Sequence, residues 1–348
     1  MYKNNNTFNT LIKIFTFLTF IVSASSCSRN KKDSELFFIQ GNVAYKKGDY
    51  NKAIEYFTEA IEKTPEFADA YNNRGTARLA LEDTDGAIAD FEKAISLDSD
   101  FILAKYNLAE ILSNTDRLDE SFSLLNTIQK NYKDSSFYFV TLSNILILKN
   151  KFPEATQALQ KALVLDKNND KALTNLGVVK YQEQNFKEAK MYFEKAITLN
   201  PKQDYALNNL SMVYAQEDNY NKALELVDQA LALKKSPLYE NNKAYYLLNT
   251  NELANGKDII LKLLEKNPNN AWALRNMGVY ELLNKNFPKA LENLTKADQL
   301  DPTVELLNYY LGLSYYNSGN AIKACEHWRI GQKLNEEKSA KKLTEICK

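Results

Sequence analysis

Apolar and polar positions follow a helical period through most of this chain, and one pattern keeps returning. It is plainest in Asp170–Gln203. With Asp170 as position 1, small or apolar residues fall at Gly177 (position 8), Tyr181 (12), Phe186 (17), Ala189 (20), Phe193 (24) and Ala196 (27). Spacings of three and four place them on one face of each of two helices. The two runs break at Asn185–Phe186. Pro201, at position 32, closes the second run, because proline lacks an amide donor and clashes with the preceding turn. A helix pair this short leaves an apolar face unburied, so it must stack on copies of itself.

The copies are present. The pattern restarts at Ser34, Ala68, Ile102, Ser136, Asp170, Asp204, Pro237, Ala271 and Glu305, with a period of 34 residues at every step but one. Repeat three is worn, with Ser121 where others have alanine. Repeat seven, with Ala244, Gly256 and Leu263, diverges most. Small residues at positions 8 and 20 let paired helices approach closely. Position 27 does the same toward the next pair, and the bulky residue at 24 fills the space between. Residues 336–348 read as a last helix, with Leu343 and Ile346 covering the end of repeat nine.

Small at 8, alanine at 20, aromatic at 24, small at 27 and proline at 32 resemble the tetratricopeptide repeat (TPR) family, over residues 34–335. The resemblance implies an all-α fold: a right-handed superhelix, or α-solenoid, of nine helix-turn-helix repeats with a capping helix. It also implies that the first helix of each pair lines a concave groove, through positions 2, 5, 6, 9, 12 and 13. Position 6 is asparagine in six repeats: Asn73, Asn107, Asn175, Asn209, Asn242 and Asn276. An amide both donates and accepts, so this row could pair with the backbone of an extended peptide. Equally, it could bond within the array. Tyr45, Tyr181, Tyr205, Tyr245 and Trp272 are further groove candidates, as are Phe38, Tyr106, Phe137, Tyr309 and Tyr316. Such aromatics suit a protein or peptide partner, or the sugar rings of a cell-wall glycan. Concave charge is sparse and mixed: Glu35, Lys46, Asp69, Glu110, Lys171 and Arg275. Phe38 stands where the family's carboxylate clamp needs lysine, which argues against a clamp in repeats one to three.

The first 26 residues have a different character. Lys3 and Lys13 precede Ile14–Val22, an uncharged run of nine residues, too short for a standard transmembrane helix. It has the size of a signal-peptide core. Ser23-Ala24-Ser25-Ser26-Cys27 then resembles a bacterial lipobox. By that resemblance Cys27 carries a diacylglyceryl group, residues 27–33 form a polar tether, and the protein is lipid-anchored in the cell envelope, at the outer membrane facing the periplasm. The alternatives are an ordinary secretory signal cut near residues 24–26, with Cys27 incidental, and an uncleaved anchor.

Composition narrows the function classes. Lys and Arg number 44 and so do Asp and Glu. That balance argues against sequence-independent nucleic-acid binding, which needs a net positive surface. The single histidine, His327, leaves no His-based triad and no multi-histidine metal site. Glycines are isolated at repeat positions, so no phosphate-cradling loop is expected. The expectation is therefore a protein without cofactor or catalysis: a scaffold or adaptor in envelope-complex assembly, or alternatively a glycan-binding module. Cys325 and Cys347 would meet an oxidising compartment and could bridge, stapling the last helix to repeat nine, or could stay as two small apolar residues.

Overall fold

A computed structural model describes residues 30–115 and 117–347. Cys27 and the segment before it, with the signal and anchor readings, lie outside the described residues. Among the described residues there are nineteen α-helices and no strand. They divide into two compact units, up to Leu165 and from Asp166 onward.

Unit 1 holds four helix pairs: α1 (30–46) with α2 (Tyr50–Lys63), α3 (Ala68–Ala80) with α4 (Thr84–Leu97), α5 (Ile102–Leu112) with α6 (Leu118–Ile128), and α7 (Ser136–Leu148) with α8 (Phe152–Leu165). Unit 2 holds five pairs and a last helix. The pairs are α9 (Asp170–Gln182) with α10 (Phe186–Leu199), α11 (Asp204–Gln216) with α12 (Tyr220–Leu233), α13 (Pro237–Asn249) with α14 (Leu253–Lys266), α15 (Ala271–Leu283) with α16 (Phe287–Leu300), and α17 (Leu307–Asn317) with α18 (Ala321–Lys333). The last helix is α19 (Glu337–Ile346).

Local chemistry sets the helix starts. The side chains of Asp49, Asp83, Asn185, Asn219 and Asn320, all at position 16, accept an amide from the first turn of the second helix. Such caps satisfy donors the helix itself leaves unpaired. Just before them, position 15 has a left-handed backbone in eight repeats. Gly48 and Gly319 supply it in two, and Glu82, Asn150, Gln184, Asp218, Asn251 and Lys285 in six.

Packing within a pair rests on the contact of position 8 with position 24. A Cβ added at Gly177 would lie 2.5 Å from a ring carbon of Phe193, which is fully buried. Gly41 stands in the same relation to Phe57. Where the pattern is worn the structure compensates. Ser121 is buried, and its hydroxyl donates to the Ala109 carbonyl. Unit 1 also buries a charge cluster. Asp90 accepts from Arg74 Nε at 2.9 Å and Nη2 at 2.7 Å, and Arg78 Nη1 lies 2.9 Å away.

Two boundaries differ from the sequence expectation. Residues 30–33 are the first turn of α1 and not a tether. No proline or glycine stops the helix there, and the Ser34 hydroxyl donates back to the Lys31 carbonyl. Repeat nine starts its helix at Leu307, two residues after Glu305. Leu306 sits at φ 59°, and this kink lets both Val304 and Leu306 bury their side chains.

Candidate partner-binding faces

At position 6, Asn73, Asn107, Asn242 and Asn276 each donate to the first helix of the preceding repeat, whereas the buried Asn209 amide nitrogen has no hydrogen-bond partner among the described residues. Asn107 donates to the Asn72 side chain at 3.0 Å, Asn242 to the Asn208 side chain at 2.9 Å, and Asn276 to the Asn241 carbonyl at 2.9 Å. In each case the acceptor is at position 5 of the preceding repeat. Asn73 donates to Asn42 at 2.8 Å, and Asn72 donates to Asn73 at 3.0 Å, so an amide chain runs through the first three repeats. In unit 2, Asn175, Asn209, Asn242 and Asn276 are all buried. This corrects the groove reading for these four: no extended peptide reaches an amide sealed between helices. Asn73 and Asn107 in unit 1 remain half-buried. Each uses one amide hydrogen on its neighbour.

The two units present different faces on the first-helix side. In unit 1 that side is open and partly apolar. Ile39, Leu103, Phe137 and Leu148 are exposed, Phe137 to 64%. They occupy positions 6, 2, 2 and 13, which share a helix face with the bonded asparagines. Glu35, Asp69 and Glu110 are exposed beside them. Tyr106 turns inward, its ring 5.3 Å from Tyr132 and its hydroxyl bonded to Thr141. Tyr45 lies half-buried against Tyr50.

In unit 2 the corresponding side is filled by the chain itself. The Tyr181 hydroxyl donates to Glu305 Oε1 at 3.0 Å and accepts from Gln216 at 2.9 Å. Burial first, and then the Glu305 carboxylate, push the Tyr181 phenol well above its ordinary pKa, so it stays a donor. Tyr245 and Tyr310 are buried and share a hydroxyl contact of 2.8 Å. The start of α19 adds to this filling. Lys338 donates to Asp218 at 2.7 Å, and Gln184 donates to the Asn335 carbonyl at 2.8 Å. Tyr181 and Tyr245 are thus internal packing residues, a second correction to the groove reading. Trp272 is partly covered, and Tyr205 remains exposed.

Glu336 explains how the kinked start of α17 is tolerated. Leu306 has no side chain able to cap, and Glu336 accepts from the Tyr309 amide at 2.9 Å and the Asn308 amide at 3.3 Å in its place. A carboxylate at a helix N-terminus is favourable. Burial nonetheless raises its pKa above the ordinary range. Cys325 and Cys347 form a disulfide with Cα atoms 5.8 Å apart, tying α19 to α18. His327 stacks on Tyr315 and meets Asn308 through Nδ1 at 3.0 Å, and burial lowers its pKa. It serves packing. No group of three or more His, Cys, Asp or Glu suited to a metal occurs among the described residues.

Glu305, Gln216 and Lys338 have no counterpart among the groove residues read from sequence. Gln216 occupies position 13, a groove position, and was the legible one. The other two arrive through the kink and α19, which repeat periodicity does not encode.

Paired helices stacked in register, with small-to-bulky contacts inside each pair, define the class: an all-α helical-repeat solenoid. Its repeats are tetratricopeptide repeats. Tetratricopeptide-repeat family profiles match residues 40–101, 78–139 and 170–236, and a TPR-repeat profile matches 144–184. Among curated proteins, sperm-associated antigen 1 of Mus musculus is 32% identical over 129 residues, 36% of this chain and 14% of that protein. Tetratricopeptide repeat protein 36 of Danio rerio is 44% identical over 68 residues, 20% of this chain and 35% of that protein. The chain therefore spans well under half the length of these relatives. Among solved structures, the Cut9-Hcn1 hetero-tetramer of the APC/C aligns with a TM-score of 0.60 at 15% identity, covering 90% of this chain and 76% of that one. Yeast Tom70 aligns at 0.51 and 17% identity, covering 90% and 68%. Both show the fold. Tetratricopeptide repeats generally act as protein-interaction scaffolds.

Proposed function

We propose that this protein is an interaction scaffold that takes an extended partner segment on the first-helix face of unit 1. One observation carries the assignment: that face exposes Ile39, Leu103, Phe137 and Leu148 beside half-buried amides, whereas the matching face of unit 2 is filled by its own residues. Exposed apolar side chains beside polar groups suit a segment that buries a few anchors and pairs its backbone. The glycan alternative draws less support, because the Tyr181, Tyr245 and Tyr309 rings pack against neighbouring aromatics. The finer reading places the scaffold in a bacterial envelope, held by a lipid on Cys27. Its support is the apolar run, the small residues and the cysteine of residues 14–27.

In-cell crosslinking of the full chain, with partner identification, tests both parts. Leu103→Asp with Phe137→Asp should cut partner capture by roughly 30-fold or more, since anchor residues commonly carry about 2 kcal/mol each. Helicity should not change, because both side chains face solvent. Capture at the unaltered level would exclude this face. In the same fractions, Cys27→Ala should move the protein off the membrane, and continued membrane association with no partner captured would end the lipid-anchor reading.

A further inference from the structure

We propose that unit 2 binds a single chloride ion at Arg275, inside the self-filled face.

Arg275 lies on α15 and is 3% exposed. Its guanidinium carbon sits 4.5 Å from the Tyr245 ring centroid and 5.3 Å from that of Trp272. The rings cover its faces and leave its N–H edges to be satisfied. Among the described residues, Nε and Nη1 are buried with no hydrogen-bond partner, and the guanidinium forms no ion pair with a carboxylate. Guanidinium does not shed its proton at accessible pH, so the charge persists. A buried cation with no counter-charge costs several kcal/mol, roughly the penalty of breaking a buried pair. The partly buried arginines of unit 1, Arg74 and Arg78, both meet Asp90.

Arg275 lines a cavity together with Asn242, Tyr245, Tyr246, Glu305, Leu306 and Lys338. Three charged residues line it, Arg275, Lys338 and Glu305, and Lys338 is already paired with Asp218 at 2.7 Å. Arg275 is the one left without a contacting counter-charge, and a single monovalent anion would supply it. Glu305 does not do so by contact, because its Oε1 is held by Tyr181 and Gln216. The Asn242 amide already donates to Asn208. The space for the centre of a water-sized sphere is about 20 Å³. One water needs about 10–15 Å³ by that measure, so the cavity admits one or two water-sized species. A space of that size suits a single small anion such as chloride better than phosphate or sulfate. The site is independent of the partner face on unit 1.

Two measurements on the full chain decide it. Crystals grown or soaked in sodium bromide should show an anomalous peak beside the Arg275 guanidinium. Thermal unfolding in sodium chloride should give a higher midpoint than in sodium gluconate of equal ionic strength, rising saturably with chloride as a ligand of the native state does. Arg275→Met should lower the apparent chloride affinity at least about tenfold, the effect of about 1.4 kcal/mol. Should that variant fold poorly, Lys338→Met removes the second cation and should weaken the chloride dependence in the same direction. Equal midpoints in the two salts with no peak would show a water bridging Arg275 to Glu305, and would overturn the proposal. A bromide peak without saturable stabilisation would mean an adventitious ion only, and would overturn it as well.

Discussion

Replacing Asp90 by alanine should destabilise α3 and α4 by about 3 kcal/mol, the lower end of what breaking a buried ion pair costs. The carboxylate is 4% exposed and meets two arginines, Arg74 at 13% and Arg78 at 25%. Without it, Arg74 loses both halves of its bidentate bond and keeps only the Thr58 hydroxyl at 3.1 Å. Arg78 retains Asp83 at 3.6 Å and the Gly86 carbonyl at 2.9 Å, so its share of the loss is smaller. The large term is the stranded Arg74 charge. Hydrogen exchange over residues 68–97 reads the effect directly, with protection falling roughly 100-fold. Replacing all three charged residues by apolar ones of similar volume should recover most of the loss, because desolvation then disappears along with attraction. Protection within threefold of the parent in Asp90→Ala would show that water reaches Arg74 and that the cluster is a surface feature.

A loss of about 3–5 kcal/mol is expected for Phe193→Ala, as for other fully buried aromatics truncated to alanine. The more telling result lies in its coupling to Gly177. Gly177→Ala alone places a methyl group 2.5–2.6 Å from two ring carbons of Phe193. Overpacking of that kind costs about 1–3 kcal/mol. In the Phe193→Ala background the ring is gone and the same methyl enters the space it leaves. The glycine substitution should then cost nothing or give some stability back, so the cycle should show a coupling of about 1 kcal/mol or more. Equilibrium denaturation of the four proteins measures it. Additive costs would mean that the two helices separate to admit the methyl, and that positions 8 and 24 are not matched by shape.

These two cases also mark what the sequence could and could not convey. The all-α repeat fold was legible, because Gly177, Ala189, Phe193 and Ala196 recur in register and each does a packing job their spacing implies. The asparagine stitches were half legible. Position 6 stood out, but its acceptor did not. The doublets Asn72–Asn73 and Asn208–Asn209 were the available signal, since each places a side-chain acceptor at position 5 for the next repeat, whereas Asn241 accepts from Asn276 through its backbone carbonyl. The filling of unit 2 was not legible. The bond from Tyr181 to Glu305 spans 124 residues, and the one from Gln184 to Asn335 spans 151. Contacts that distant depend on how neighbouring pairs rotate on one another, and a repeat motif does not specify that rotation. Leu306 adds a left-handed residue where the motif expects a helix start.

The left-handed turns at position 15 leave room for thermostability design that no side-chain contact reveals. Gly48 and Gly319 adopt this conformation without crowding, and Asn150, Asp218 and Asn251 tolerate it. Glu82 and Lys285 each hold a Cβ against the following carbonyl, at roughly 1–2 kcal/mol. Glycine in their place loses about 0.4–1 kcal/mol through a freer unfolded chain, so each exchange should gain about 0.5–1 kcal/mol. Gln184 is set apart, because its side chain donates to the Asn335 carbonyl at 2.8 Å and glycine would lose that bond. The Glu82 and Lys285 exchanges together should raise the midpoint of thermal unfolding, and an unchanged midpoint would mean the turns already relax their crowding. The repeat thus carries, in a position its motif ignores, sites for stepwise hardening of the scaffold.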